Sequence, residues 1–289
     1  MQSNAEIGKQ KQPTESRQKL EIDSEGPKSD SLGVRQVHRR PGPIVANLWS
    51  DPDSLMLIFA ASSAEFAVNP IAEWLFYTGR LPSDPAGRFL STITYMRQLM
   101  LAPSHDDYVD ACRRIRGVHT KLEKERGQLI PDESYLDVLL MGMQHSLTAL
   151  EVMRGKAVTS EEAAEVTRSY RSMAHYMGVP GYPRNYAAFR ELRMQRLNSY
   201  QFNEYTAKLF AAYRLALGWL GYWMLRALSP TVVEPRICEL AGLRHGLSAK
   251  TFELLFPRLR LIGIHRLFMP SSARRMHSAA RRIIDSTTG

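Results

Sequence analysis

At 289 residues, with 44% apolar and 23% charged side chains, the chain has ordinary globular composition and length for one large core or two small ones. Its two cysteines, Cys112 and Cys238, exclude a disulfide framework and a cysteine-based zinc site; no charged-then-apolar leader opens the sequence, so a cytoplasmic location is expected. The net charge of +9 is dispersed, with clusters at 113–116, 184–196 and 274–282 that lack aromatic interleaving, so nucleic acid is not an expected partner.

The first 30 residues contain no Phe, Trp or Tyr and are rich in Lys, Gln, Glu and Ser. Such a segment buries too little surface to offset its ordering entropy, so residues 1–42 are expected to form a disordered tail. The fold is expected to begin at Pro41-Gly42-Pro43 and to occupy 43–289 as one domain. Asp53 can cap a helix through Leu55–Phe66, and Asn69-Pro70 starts another that carries Trp74 and Phe76. Ser83-Asp84-Pro85 opens a third, bearing Arg88, Thr92 and Tyr95. Asp106 and Asp107 suit the positive end of a helix running to Leu122, and Pro131-Asp132-Glu133 precedes the next. Thr159 or Ser160 caps 161–177, with Glu161 or Glu162 available for a capping box. Gly178 to Pro183 breaks the chain before a helix from about Asn185 to Tyr200. Strand-like alternation is absent, so the fold class is all-α.

Leu209–Leu228 is long enough to span a bilayer but contains Arg214 and Arg226, each expensive in lipid. A packed core helix is the favoured reading. Attachment to a membrane surface through Trp219, Tyr222 and Trp223 is the alternative.

Two histidines stand on apolar helical faces. In the helix from Tyr108 to Leu122, a single arc holds Tyr108, Ala111, Cys112, Ile115, Val118, His119 and Leu122, with Arg114 flanking it. A histidine there serves either as a core residue bonded to a carbonyl or as a ligand, and both readings stay open. His145 lies in a helix apolar nearly all round, between Gly142 and Ala149, whose lack of bulk leaves room for a flat group or for close packing. His105, His175, His245, His265 and His277 show no metal-ligand spacing, and there is neither a phosphate cradle nor a Gly-x-Ser-x-Gly turn.

The stretch from Ser83 to Leu192 resembles the family of the fungal MpaB oxygenases and bacterial rubber oxygenases (latex clearing proteins). The resemblance is carried by ordered pieces. They are Asp84-Pro85-Ala86-Gly87-Arg88 with Thr92 and Tyr95, Arg114-Ile115-Arg116-Gly117-Val118-His119, and Tyr135-Leu136-Asp137 followed by Gln144-His145-Ser146-Leu147. Tyr176-Met177-Gly178-Val179-Pro180, Tyr182-Pro183 and Ala188-Phe189 follow, and Leu267-Phe268-Met269-Pro270 with Arg274-Arg275 has the same look. The resemblance implies a globin-like helical domain holding haem b. It places the iron on His145, with His119 in reserve, and puts Arg114 at a haem propionate or a charged oxygen intermediate, with Thr92 lining the pocket. The carboxylate base and distal lysine of rubber oxygenases have no counterpart, since no Glu lies between Arg88 and Cys112.

The function expected is a haem-dependent oxygenase, with catalytic Arg114 and His119, acting with dioxygen on an apolar isoprenoid- or lipid-like substrate. Trp74, Phe76 and Tyr95 are expected to shape its pocket. The alternative is a non-catalytic helical protein that binds a hydrophobic ligand or an anionic membrane surface through its basic C-terminal segment.

Overall fold

The structure, a computed structural model, describes residues 41–286; the expected tail lies outside them apart from 41 and 42. The chain starts with α1 (Pro43–Trp49), α2 (Pro52–Phe66), α3 (Ala72–Tyr77), α4 (Arg80–Ser83) and α5 (Pro85–Met100). Next come α6 (His105–Arg126), α7 (Asp132–Arg154), α8 (Ser160–Tyr176) and α9 (Tyr186–Leu197). It ends with α10 (Glu204–Leu228), α11 (Pro235–Ala241), α12 (Leu247–Leu261) and α13 (Ser271–Ser286), and 3-10 turns at Ser229–Thr231 and Ile264–Phe268. No strand occurs among the described residues, so the all-α expectation holds.

Local chemistry accounts for most of the helix starts. Asp84 accepts from the Gly87 N–H at 2.9 Å to open α5, Asn185 does the same for α9, and Thr159 with Glu162 forms the capping box of α8. α2 departs from expectation. Its cap is Asp51, which accepts from the Asp53 N–H at 2.8 Å, while Asp53 sits inside the helix and is buried.

α7 is the centre of the bundle. α2 lies along it, α8 and α12 flank it, and Leu139, Leu140, Met143, Leu147 and Leu150 are buried there. On α6 the apolar arc is narrower than the sequence implies. Tyr108, Ala111 and Cys112 are buried, but Val118, at the edge of the arc, is 54% exposed.

α10 corrects the core-helix reading. Leu209, Phe210, Tyr213, Leu217 and Leu225 point inward, but Leu215 is 88% and Trp219 74% exposed. The helix is also broken at Gly218, whose φ of 70° suits glycine alone among common residues. The segment therefore buries one face and offers the other. No helix among the described residues is long and apolar enough to cross a membrane.

Candidate functional site

α7 turns His145 toward α2, where both ring nitrogens find partners. Nε2 lies 2.9 Å from Glu65 Oε2 and Nδ1 lies 3.2 Å from Ser62 Oγ. Glu65 is fully buried, as is His145. It accepts from both terminal nitrogens of Arg193 at 2.6 Å and from the Tyr200 hydroxyl at 2.8 Å. Arg193 also pairs with Glu234 at 2.7 and 3.1 Å, and Asn69 donates to the Tyr200 oxygen at 2.6 Å. Burial alone would raise the Glu65 carboxyl; the Arg193 charge and the His145 hydrogen bond overcome it and hold the pKa at about 2.

This geometry bears directly on the haem expectation. An imidazole that ligates iron needs one ring nitrogen free, and His145 has none. The room beside Gly142 is also taken, because a Cβ there would lie 3.0 Å from the Tyr170 ring, and the Tyr170 hydroxyl bonds Ser146 Oγ at 2.9 Å. Gly142 thus admits a tyrosine rather than a macrocycle, and His145 does not fit the role of axial ligand. Arg114, expected at a propionate, is exposed on the outside of α6.

His119 is placed differently. Its Nδ1–H donates to the Ile115 carbonyl at 2.8 Å, which leaves Nε2 with the lone pair. Burial pushes its pKa below the ordinary imidazole value, with Arg88 and Arg116 adding to the shift and the Ile115 carbonyl opposing it. Arg116 lies over the Tyr135 ring, 4.6 Å from its centroid, and the His119 ring meets the same tyrosine edge-on. Arg88 donates to Thr92 Oγ1 at 2.9 Å, so Thr92 orients a cation of this cluster. Among the described residues, no group of three or more His, Cys, Asp or Glu could hold a bare metal ion.

The second feature is a cavity of about 590 Å³ between α2, α10, α12 and α13. Met56, Phe59, Leu217, Met224, Phe256 and Met276 form much of its wall. Trp223, Leu247, Leu255 and Phe268 line it and are also solvent-exposed, so the mouth is ringed with apolar side chains. Trp74, Phe76 and Tyr95, expected to shape the pocket, do not line it. Trp74 is instead covered by the Arg126 guanidinium, Phe76 packs on Tyr205, and Tyr95 is exposed.

At one end of this cavity stands a charged cluster that the sequence did not reveal. Asp53 Oδ1 accepts from Nε2 of His265 and from Nε2 of His277, each at 3.0 Å, and Oδ2 is ion-paired with Arg260 Nε at 3.2 Å. Burial works to raise the Asp53 carboxyl, but the two imidazole N–H donors win and lower its pKa to about 2. The partners lie 212 and 224 residues from Asp53, beyond the reach of any spacing rule. The one local hint was an acid on the inner face of an apolar helix, and the same holds for Glu65.

Residues 49–262 match the family model described as ER-bound oxygenase mpaB/B'/Rubber oxygenase, catalytic domain. Neither a curated protein nor a solved structure matches the chain.

Proposed function

We propose that this chain, which belongs to the mpaB and rubber oxygenase catalytic-domain family, takes an apolar isoprenoid- or lipid-like molecule into the cavity between α2, α10, α12 and α13. The observation that carries this reading is the cavity itself, large, apolar and rimmed by exposed hydrophobic side chains. Leu254, Leu261, Ile262 and Leu267, in the same stretch of chain as the rim residues Leu255 and Phe268, are exposed too, and that stretch also holds Arg258 and Arg266. Apolar side chains beside cations match a surface of anionic lipid, from which a greasy molecule could pass to the mouth without crossing water.

The test is co-sedimentation with neutral and anionic phospholipid vesicles. Binding is expected to favour the anionic vesicles and to weaken as salt rises. Phe268, 72% exposed, has little folding role to lose. Phe268→Ser is therefore expected to lower vesicle partitioning at least about tenfold, since an inserted aromatic contributes roughly 1.5–3 kcal/mol. Equal binding to both vesicle types, or an unchanged variant, would remove the membrane from the proposal.

A second reading, haem b-dependent oxidation with dioxygen, is favoured by His119. Haem b, when bound, supplies the one-electron and dioxygen chemistry of an oxygenase. His119 would hold the iron through Nε2, its orientation fixed by the Ile115 carbonyl, and burial favours the neutral imidazole that ligation requires. Arg88 and Arg116 supply positive charge for propionates, and Thr92 orients Arg88. No residue of α5 or α6 lines the cavity, so the two readings stand or fall separately. The visible spectrum of protein produced with iron and a haem precursor decides the second. A Soret band is expected that persists in His145→Ala and disappears in His119→Ala. Colourless wild-type protein ends the haem reading and leaves the cavity reading untouched.

A further inference from the structure

In the cavity wall, one buried polar atom has nothing to bond. The His265 side chain is 5% exposed and lines the cavity, yet its Nδ1 has no hydrogen-bond partner. Its other nitrogen is committed, because Nε2 faces Asp53 Oδ1 at 3.0 Å and a carboxylate can only accept. Nε2 therefore carries the proton, and in the neutral ring Nδ1 is left as a bare acceptor. Leaving such an atom buried and unpaired costs free energy that a suitable donor would recover.

We infer that His265 is the anchor for the polar end of the bound molecule, and that this molecule is a long apolar chain carrying one hydroxyl group, an isoprenoid or fatty alcohol. The inference rests on the cavity reading above and adds the chemistry of the ligand's head. The hydroxyl donates to His265 Nδ1 while the hydrocarbon lies along the apolar wall formed by Met56, Phe59, Met224 and Phe256.

The surrounding groups select a neutral head over a carboxylate. Asp51 and Asp53 both pair with Arg260, so two anions share one guanidinium at this end of the cavity. A carboxylate headgroup, which can only accept, would face the Nδ1 lone pair with no donor while losing its hydration. Asp53 also fixes the ring: with the carboxylate holding Nε2, the imidazole cannot turn its N–H toward the ligand, so an acceptor-only head such as a ketone or ester finds no donor.

The experiment compares dodecane, 1-dodecanol and dodecanoate as probes of the intact chain, followed by tryptophan emission, which includes Trp223 at the rim. Wild type is expected to bind 1-dodecanol about tenfold more tightly than dodecane, and more tightly than dodecanoate. His265→Phe is expected to abolish that preference while dodecane binds as before. His265→Gln, whose amide can donate to Asp53 and still present an acceptor, is expected to restore much of it. Met224→Trp, which pushes a larger ring from the wall into the cavity, is expected to weaken all three probes. If wild type binds alcohol and alkane alike, or prefers the acid, the anchor is refuted while the cavity reading survives. If Met224→Trp leaves all binding unchanged, the cavity reading itself is refuted. Should His265→Phe fail to fold, as judged by helical circular dichroism, the wild-type order of the three probes decides the matter.

Discussion

Replacing Arg193 with methionine is expected to cost about 3–5 kcal/mol of folding stability, the range found when one partner of a buried ion pair is deleted. The loss comes from what remains behind rather than from the attraction removed. Glu65 is fully buried, and Arg193 supplies two of its four hydrogen bonds as well as its neutralising charge. Without the guanidinium, Glu65 must either stay charged in an apolar interior or take up a proton, and Glu234 loses its partner too. His145→Ala is expected to cost less, about 1–3 kcal/mol, because Glu65 keeps its bidentate arginine. Urea unfolding of both variants at neutral pH measures the difference. If His145→Ala proved the more damaging, the arginine would not be the keystone of this network.

Acid is expected to unfold the protein over a defined window. The Glu65 carboxyl falls from an ordinary 4.5 to about 2 on folding, and that of Asp53 from 3.8 to about 2. Both are depressed in the native state, so the stability they contribute is fully present above about pH 4.5 and drains away as pH falls toward 2. In that window the unfolded chain holds the extra protons, and each group contributes a slope of roughly 1.4 kcal/mol per pH unit. Asp53→Asn removes one of the two groups. Its stability should run parallel to wild type above the window and fall less steeply inside it. Parallel curves across the whole range would show that Asp53 is not held as an anion by His265 and His277.

How much of this was legible in the sequence depends on range. Helix starts were readable because a cap and its helix are neighbours in the chain: Asp84, Thr159 and Asn185 announce themselves within four residues. Asp53 was misread for the same reason, since an acid near a helix start looks like a cap, and only the structure moves that duty to Asp51. The resemblance located the family but not the role of His145. Flanking Gly142 and Ala149 announced space without saying what fills it, and the occupant beside Gly142, Tyr170, is on another helix. Glu65, Arg193 and Glu234 were passed over because no periodicity relates an acid on α2 to an arginine 128 residues later. The cavity was placed among the wrong aromatics because Trp74, Phe76 and Tyr95 sit in the early helices, whereas most of its wall comes from α10 onward.

The placement of Asp53 and Glu65 on a single helix has a consequence for biosynthesis. They stand twelve residues apart on α2, roughly 18 Å along the axis, and each waits for counter-charges encoded much later. Arg193 must be made before Glu65 can be buried without penalty, and His277 is encoded 224 residues after Asp53. A nascent chain therefore emerges with two uncompensated acids on the helix that packs along α7, and local pairing cannot relieve them. Docking of that helix is expected to lag translation and to complete only once α13 has been made. This contact topology favours slow, late closure over stepwise folding from the N-terminus.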